Sequence, residues 1–185
     1  MRNTLIAKRY ARALFDFVLE QNILEAVKMD MELVISTLKD NKELRQMLKS
    51  PVIKAAKKEA VIREIFEKHI QTPSIQYLSI IIRKRRESFI EGIALEFISL
   101  YKKFKNIVTT HLETATALDD DLRKKVIDLL KEQTGGEIEL IEEVRKELIG
   151  GFVIHYDDKK YDASIQRQLA NLKKEFKVNL YERKL

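Results

Sequence analysis

The stretch Lys102-Lys103-Phe104-Lys105-Asn106-Ile107-Val108-Thr109-Thr110-His111-Leu112-Glu113-Thr114-Ala115 is where the period of the chain changes. Before it, apolar residues recur every three or four positions. Within it, Val108, Thr110, Leu112 and Thr114 alternate with Thr109, His111 and Glu113. The first pattern belongs to amphipathic helices, the second to a half-buried strand rich in β-branched side chains. The switch predicts a boundary between an N-terminal all-α six-helix bundle, residues 1–105, and a small C-terminal α+β domain, residues 106–185.

Upstream of the switch, Leu5 to Leu19 has helical spacing and an unusually wide apolar arc. Ala7, Ala11, Leu14 and Val18 form one stripe, and Ile6, Tyr10, Ala13 and Phe17 form a second beside it. A helix with one buried face needs only one such stripe. The second is either buried in a multi-helix bundle or left for a partner. Leu24, Val27, Met31, Val34 and Leu38 mark a second helix. Asp40 and Glu43 have capping-box spacing for a short third one carrying Leu44, Met47 and Leu48. Ser50-Pro51 reads as an N-cap with proline at the first helical position, opening a fourth helix that runs to His69, and Thr72-Pro73 repeats the device for a fifth. In the fifth, Ile75, Leu78 and Ile82 share a face while Tyr77, Ile80 and Ile81 populate its flank, again more apolar surface than one core needs. Arg83 to Arg86 complement the negative end of that helix. Phe89, Ile93, Phe97, Leu100 and Phe104 mark the sixth.

Downstream, Leu118 is placed as a staple residue and Asp119-Asp120-Asp121 as the acidic start of a helix bearing Leu122, Val126, Leu129 and Leu130, stopped by Gly135-Gly136. Ile138 and Leu140 mark a second strand, Phe152 to Tyr156 a third, and Lys159 to Asp162 a fourth that folds back across Asp157-Asp158. The last helix starts at Ser164 and carries Ile165, Leu169, Leu172 and Phe176 on one stripe. Gly150-Gly151 at the mouth of the third strand predicts a positive φ or a close backbone approach. Phe152, Ile154 and Val178-Asn179-Leu180-Tyr181 fit a core or a contact surface equally well.

Composition narrows the chemistry. With 45% apolar residues the chain builds a real core, and the absence of cysteine removes disulfides, thiolate metal sites and cysteine nucleophiles together. Leu78 to Ile82, the longest nearly apolar run, is far short of the ~20 residues of a spanning helix. No apolar signal region follows Met1, and the expected location is inside the cell. The net charge of +6 is uneven: residues 1–105 hold 21 basic and 13 acidic residues, residues 106–185 hold 14 and 16. Such asymmetry suggests two modules with different partners. Neither phosphate-cradling glycine motif is present, and His69, His111 and His155 lie far apart in the sequence without ligand or triad spacing. No catalytic, cofactor or metal residue is expected. Arg83 to Arg86 is the best nucleic-acid candidate, but one four-residue cluster without a recognised binding motif is a small electrostatic footprint. The surplus arcs on the first and fifth helices are better explained by a groove that receives an amphipathic partner helix.

Taken in order, Ala7-Lys8-Arg9-Tyr10-Ala11-Arg12-Ala13-Leu14-Phe15, Ser50-Pro51 with its downstream lysines, Arg86 before Phe89-Ile90, Thr114-Ala115, and then Val144 with Leu148-Ile149-Gly150-Gly151 through Tyr156, Asp162 and Ser164 resemble the delta subunit of F-type ATP synthase. That family is the bacterial relative of the mitochondrial oligomycin-sensitivity-conferring protein. The resemblance covers essentially the whole chain; Arg145 departs from the acidic or amide residue frequent there. It implies a non-catalytic peripheral-stalk (stator) subunit at the cytoplasmic face of the bacterial membrane, one copy per complex, with no cofactor and no membrane contact except through the complex. The helical domain would hold the N-terminal helix of an alpha subunit. The C-terminal domain would hold the C-terminal region of the b subunits. For the first contact the expected residues are Tyr10, Ala13 and Phe17 with Tyr77, Ile80 and Ile81, a groove in which a partner helix could bury on the order of 1,200 Å² or more. Leu148, Gly150, Gly151, Asp162 and Ser164 carry the family signature and are expected to be structural. The alternative from another class is an RNA-binding adaptor using the basic half.

Overall fold

The computed structural model describes residues 2–116, 119–156 and 159–177. Leu118, Asp157-Asp158 and Val178 to Tyr181, singled out above, lie outside them. The chain divides into two compact units, Met1–Phe104 and Lys105–Leu185. The first contains α1 (Arg2–Glu20), α2 (Leu24–Asp40), α3 (Lys42–Lys49), α4 (Ala55–Phe66), α5 (Thr72–Arg83), a 3₁₀ turn (Glu87–Phe89) and α6 (Ile90–Phe104). The second contains β1 (Ile107–Thr114), α7 (Asp120–Thr134), β2 (Glu137–Val144), a 3₁₀ turn (Lys146–Leu148), β3 (Phe152–Tyr156), β4 (Lys159–Asp162) and α8 (Ile165–Lys177). An all-α bundle followed by an α+β part is the architecture that the change of period predicted.

In the helical unit the core is made by the predicted stripes. Ala7, Ala11, Leu14 and Val18 of α1 are buried, as are Leu24, Val27, Met31, Val34 and Leu38 of α2 and Ile93 and Phe97 of α6. Phe15, which belongs to neither α1 stripe, is buried against α6, edge-on to Phe97 at 5.8 Å and to Phe104 at 5.7 Å between ring centroids. Phe104 itself is mostly exposed.

Three helix starts differ from the sequence reading, the first for a local reason and the other two for tertiary ones. Asn41, not Asp40, precedes α3, and its side-chain amide donates to the Thr37 carbonyl at 2.9 Å, closing α2 rather than opening α3. Ser50 ends α3, its N–H donating to Gln46 and Met47, and α4 begins only at Ala55 and stops at Phe66. The Ser50 carbonyl is drawn instead to the buried ammonium of Lys58, at 2.7 Å. For α5 the flanking residue is Gln71, and Thr72 is already helical. The cap comes from another helix: the buried Asp30 carboxylate of α2 accepts the Gln71 N–H at 3.0 Å and the Ser74 hydroxyl at 2.5 Å. It satisfies a donor that a helix start leaves orphaned.

In the α+β unit the strand order is β2-β1-β3-β4, with β1 parallel to β2 and antiparallel to β3, and β3 antiparallel to β4. The parallel β1–β2 pair needs a crossover, which α7 provides. α7 closes on Gly135 in the left-handed region, φ +67°. Leu112, Leu130 and Ile154 form the core between α7 and the sheet, with Val126, Ile138, Leu140, Phe152 and Tyr156 packed around them. β2 extends through Val144, beyond the two residues that announced it.

Candidate partner-binding site

Five of the six residues predicted to line the groove of the helical unit offer surface. On α1, Ile6 and Tyr10 are half-buried, Ala13 is exposed, and Phe17 keeps 46% of its surface in solvent. The second α1 stripe is therefore free of the bundle core. On α5, Ile80 is 50% exposed and Tyr77 half-buried. Ile81 has no exposed surface; it packs in the core with Ile75, Leu78 and Ile82 and presents nothing to a partner. The flank of α5 is narrower than its spacing suggested because Ile81 turns inward beside Leu78.

One hydrogen bond joins the two helices at the middle of this surface. The Tyr77 hydroxyl donates to the Tyr10 carbonyl at 2.9 Å. Burial raises the hydroxyl pKa further above its ordinary value. The bond keeps the proton on Tyr77 and the two rings on neighbouring helices.

The position of α5 is fixed at both ends as well. Asp30 holds its start. After its last residue, Glu87 meets Lys58, a side chain only 1% exposed whose ammonium donates to the carbonyls of Leu48 and Ser50, both at 2.7 Å, and to Glu87 Oε1 at 2.6 Å. Those three acceptors use all three ammonium protons. Arg83 of α5 also donates to Glu59 of α4 at 2.9 and 3.3 Å, and this hydrogen bond holds the Glu59 carboxyl below its ordinary range. α5 is thus tied to α2, α4 and α1 by polar contacts between residues far apart in sequence.

In the α+β unit the signature residues build a corner. Gly151 has φ +76°, and a β-carbon there would overlap the Ala163 carbonyl oxygen; at Gly150 it would meet the tip of Ile165. Ile165 N–H donates to the Gly150 carbonyl and Ala163 N–H to that of Phe152, both at 2.9 Å. Asp162 accepts the Ser164 N–H at 3.1 Å and its hydroxyl at 2.7 Å, while Ser164 Oγ caps α8 by accepting the Arg167 N–H at 3.2 Å. Leu148 and Ser164 are buried at the same corner. The hydrogen bonds from Ser164 lower the Asp162 pKa.

Beyond that corner, α8 leaves its apolar stripe in solvent. Ile165, Leu169 and Leu172 are exposed, and Phe176 is 82% exposed. On the α7 side of the sheet, Leu122, Leu129, Phe152, Tyr156 and Tyr161 line an open apolar cavity of about 400 Å³. The sequence showed both stripes without saying what covers them. The signal that could have separated them is size: strands of 8, 8, 5 and 4 residues cannot cover two amphipathic helices in full.

The antiparallel β1–β3 pair brings together what the sequence kept apart, setting His111 opposite His155, with His155 Nε2 3.5 Å from Glu113 Oε1. Among the described residues no group of three or more His, Cys, Asp or Glu could hold a metal ion. No helix among them is long and apolar enough to cross a membrane.

The sequence model of a family described as "ATP synthase delta (OSCP) subunit" matches residues 6–176. An ATP synthase subunit delta from Christiangramia forsetii is 34% identical over 185 residues, the full length of both chains. One from Salinibacter ruber is 33% identical over 172 residues, covering 93% of this chain and 90% of that one. Among solved structures, a chain of the Toxoplasma gondii mitochondrial ATP synthase hexamer has the same fold, with a TM-score of 0.71 at 24% identity, over 94% of this chain and 98% of the other. Through a match that spans both units and includes the α1 stripes and the Gly150-Gly151 corner alike, this chain belongs to the ATP synthase delta (OSCP) subunit family, a non-catalytic stalk component of the F-type enzyme.

Proposed function

We propose that the chain works as a stator link, holding the catalytic head with its helical unit and the membrane-anchored stalk with its α+β unit. The observation that carries this reading is the pair of exposed apolar helix faces, one on each unit: Tyr10, Ala13 and Phe17 with Tyr77 and Ile80 on the first, and the α8 stripe on the second. Exposed contiguous apolar surface marks interaction sites, and both faces have the three-and-four spacing that receives a partner helix. The occupant of the first is the N-terminal helix of an alpha subunit. That of the second is the C-terminal region of the b subunits, on the α8 stripe. One copy bridges the two at the cytoplasmic face of the bacterial membrane, touching the membrane only through the complex. The mechanism is mechanical: when the rotor turns, the head experiences a reaction torque, and a link anchored at both ends passes it to the stalk. No nucleotide is consumed in the link.

The test is reconstitution. Catalytic heads stripped of this subunit are mixed with stalk-bearing membranes, with and without the purified chain. Head binding and ion-coupled ATP hydrolysis are expected to return only when the chain is added. Full coupling without it, or none with it, contradicts the stator role.

A further inference from the structure

Two arginines border one end of the α1 stripe. Leu5, Ile6, Arg9, Tyr10 and Arg86 line a cavity of about 150 Å³ there. Arg86 arrives from α5 through a tight helix end: Arg85 is in the left-handed region at φ +55°, its N–H donates to Ile82, and the Arg86 N–H donates back to Ile81 at 3.0 Å. This is the paired 6→1 and 5→2 bonding of a Schellman motif, with arginine where glycine is usual.

Of the other arginines nearby, Arg83 pairs with Glu59 and Arg12 with Asp16. Arg9 and Arg86 are exposed and have no ion pair or side-chain hydrogen bond among the described residues. At the opposite end of the stripe Glu20 is exposed past Phe17, while Asp16 is already paired with Arg12. The surface is therefore polarised along its length, basic at Arg9 and Arg86 and acidic past Phe17. An apolar strip flanked in this way binds an amphipathic helix in one direction better than in the other, because reversal sets like charges against each other at both ends.

We propose that Arg9 and Arg86 clamp a carboxylate side chain of the helix that docks along α1, so that the partner's acidic residue lies at this end and fixes its direction. Guanidinium groups suit the role, since each offers a planar fork of donors to both carboxylate oxygens. The half-buried Tyr10 and Ile6 partly exclude water from the pair and strengthen it. The inference rests on the reading that the N-terminal helix of an alpha subunit occupies this surface.

The experiment is calorimetric titration of the full chain with a synthetic peptide of that helix. Thermal melts confirm that each variant is folded. Arg9→Glu and Arg86→Glu are each expected to weaken binding by about tenfold or more, while Lys68→Glu, an equal change of charge elsewhere, has an effect below about twofold. Changing one particular acidic residue of the peptide to lysine should restore its affinity for the Arg9→Glu chain. Equal affinities for wild type and both arginine variants, or an equal loss in Lys68→Glu, overturn the clamp and leave the groove reading intact. Failure of the peptide to bind the wild-type chain overturns both.

Discussion

The two units make opposite use of amphipathic helices. In the helical unit the main stripe of each long helix is buried, while a second, flanking stripe on α1 and part of α5 remain outside, as do Met29 and Leu33 of α2 and Leu95 of α6. In the α+β unit α8 has one stripe, and it is that stripe which faces solvent, while α7 buries Leu130 but exposes Leu122 and Leu129. The first unit thus has a complete core before any partner arrives. The second has a small core around Leu112, Leu130 and Ile154 and leaves further apolar surface that a bound partner would bury. Fully burying one Leu or Phe contributes about 1.5–3 kcal/mol, so covering the α8 stripe is worth a large share of the stability of a small domain.

This contrast can be broken from the core outward. The largest loss is expected for Lys58→Ala, which leaves the Glu87 carboxylate and two carbonyls without their donor; removing one member of a buried pair costs about 3–5 kcal/mol. Urea denaturation of the helical unit measures it, and a loss below about 1 kcal/mol would show that Lys58 is not a hub of that core. Next comes Gly151→Ala, which places a β-carbon against the Ala163 carbonyl at φ +76°. A destabilisation of about 2 kcal/mol is expected, read by faster amide exchange of Val153 and Ile154 with the helical unit unchanged. Tyr77→Phe removes only the hydrogen bond to Tyr10, at about 0.5–1.5 kcal/mol, and is seen as a small fall in the helical unit's melting temperature.

Acid sharpens the contrast at the corner. The hydrogen bonds from Ser164 depress the Asp162 pKa in the folded chain. Its contribution is therefore present above the unfolded carboxyl value of about 4 and is lost as pH falls through the lower folded value. Asp162→Asn should flatten the acid limb of the stability profile of the α+β unit; an unchanged limb would mean that other carboxylates set it. The smallest effect on folding is expected for Leu172→Ser and Phe176→Ser, within about 0.5 kcal/mol for exposed positions, although both should weaken stalk binding.

How much of this was legible in the sequence follows from the range of each interaction. Helical and strand periods are local, so the six helices, the boundary near Phe104 and the order of the strands' hydrophobic positions could be read. So could the glycine corner, since Gly151 is at a positive φ and Ser164 does cap α8. Asp30 capping α5 was not legible, because the residues lie 41 and 44 positions apart. Lys58 looked like any lysine of a solvated face until α3, α4 and Glu87 closed around it. The same limit explains Ile81 and α8: a period gives the direction of a stripe, while what covers it depends on elements elsewhere in the chain. His111 and His155 became neighbours only through the β1–β3 register.

The central claim is that two separate apolar faces, one on each unit, hold two different partners. It is tested most directly by titrating three full-length chains with two peptides, one from the N-terminus of an alpha subunit and one from the C-terminal region of the b subunits. Ala13→Asp is expected to lose the alpha peptide and keep the b peptide, the double variant Leu172→Ser/Phe176→Ser to do the reverse, and wild type to bind both at once. Loss of both peptides in either folded variant, or unchanged binding of both peptides in both variants, would contradict the account.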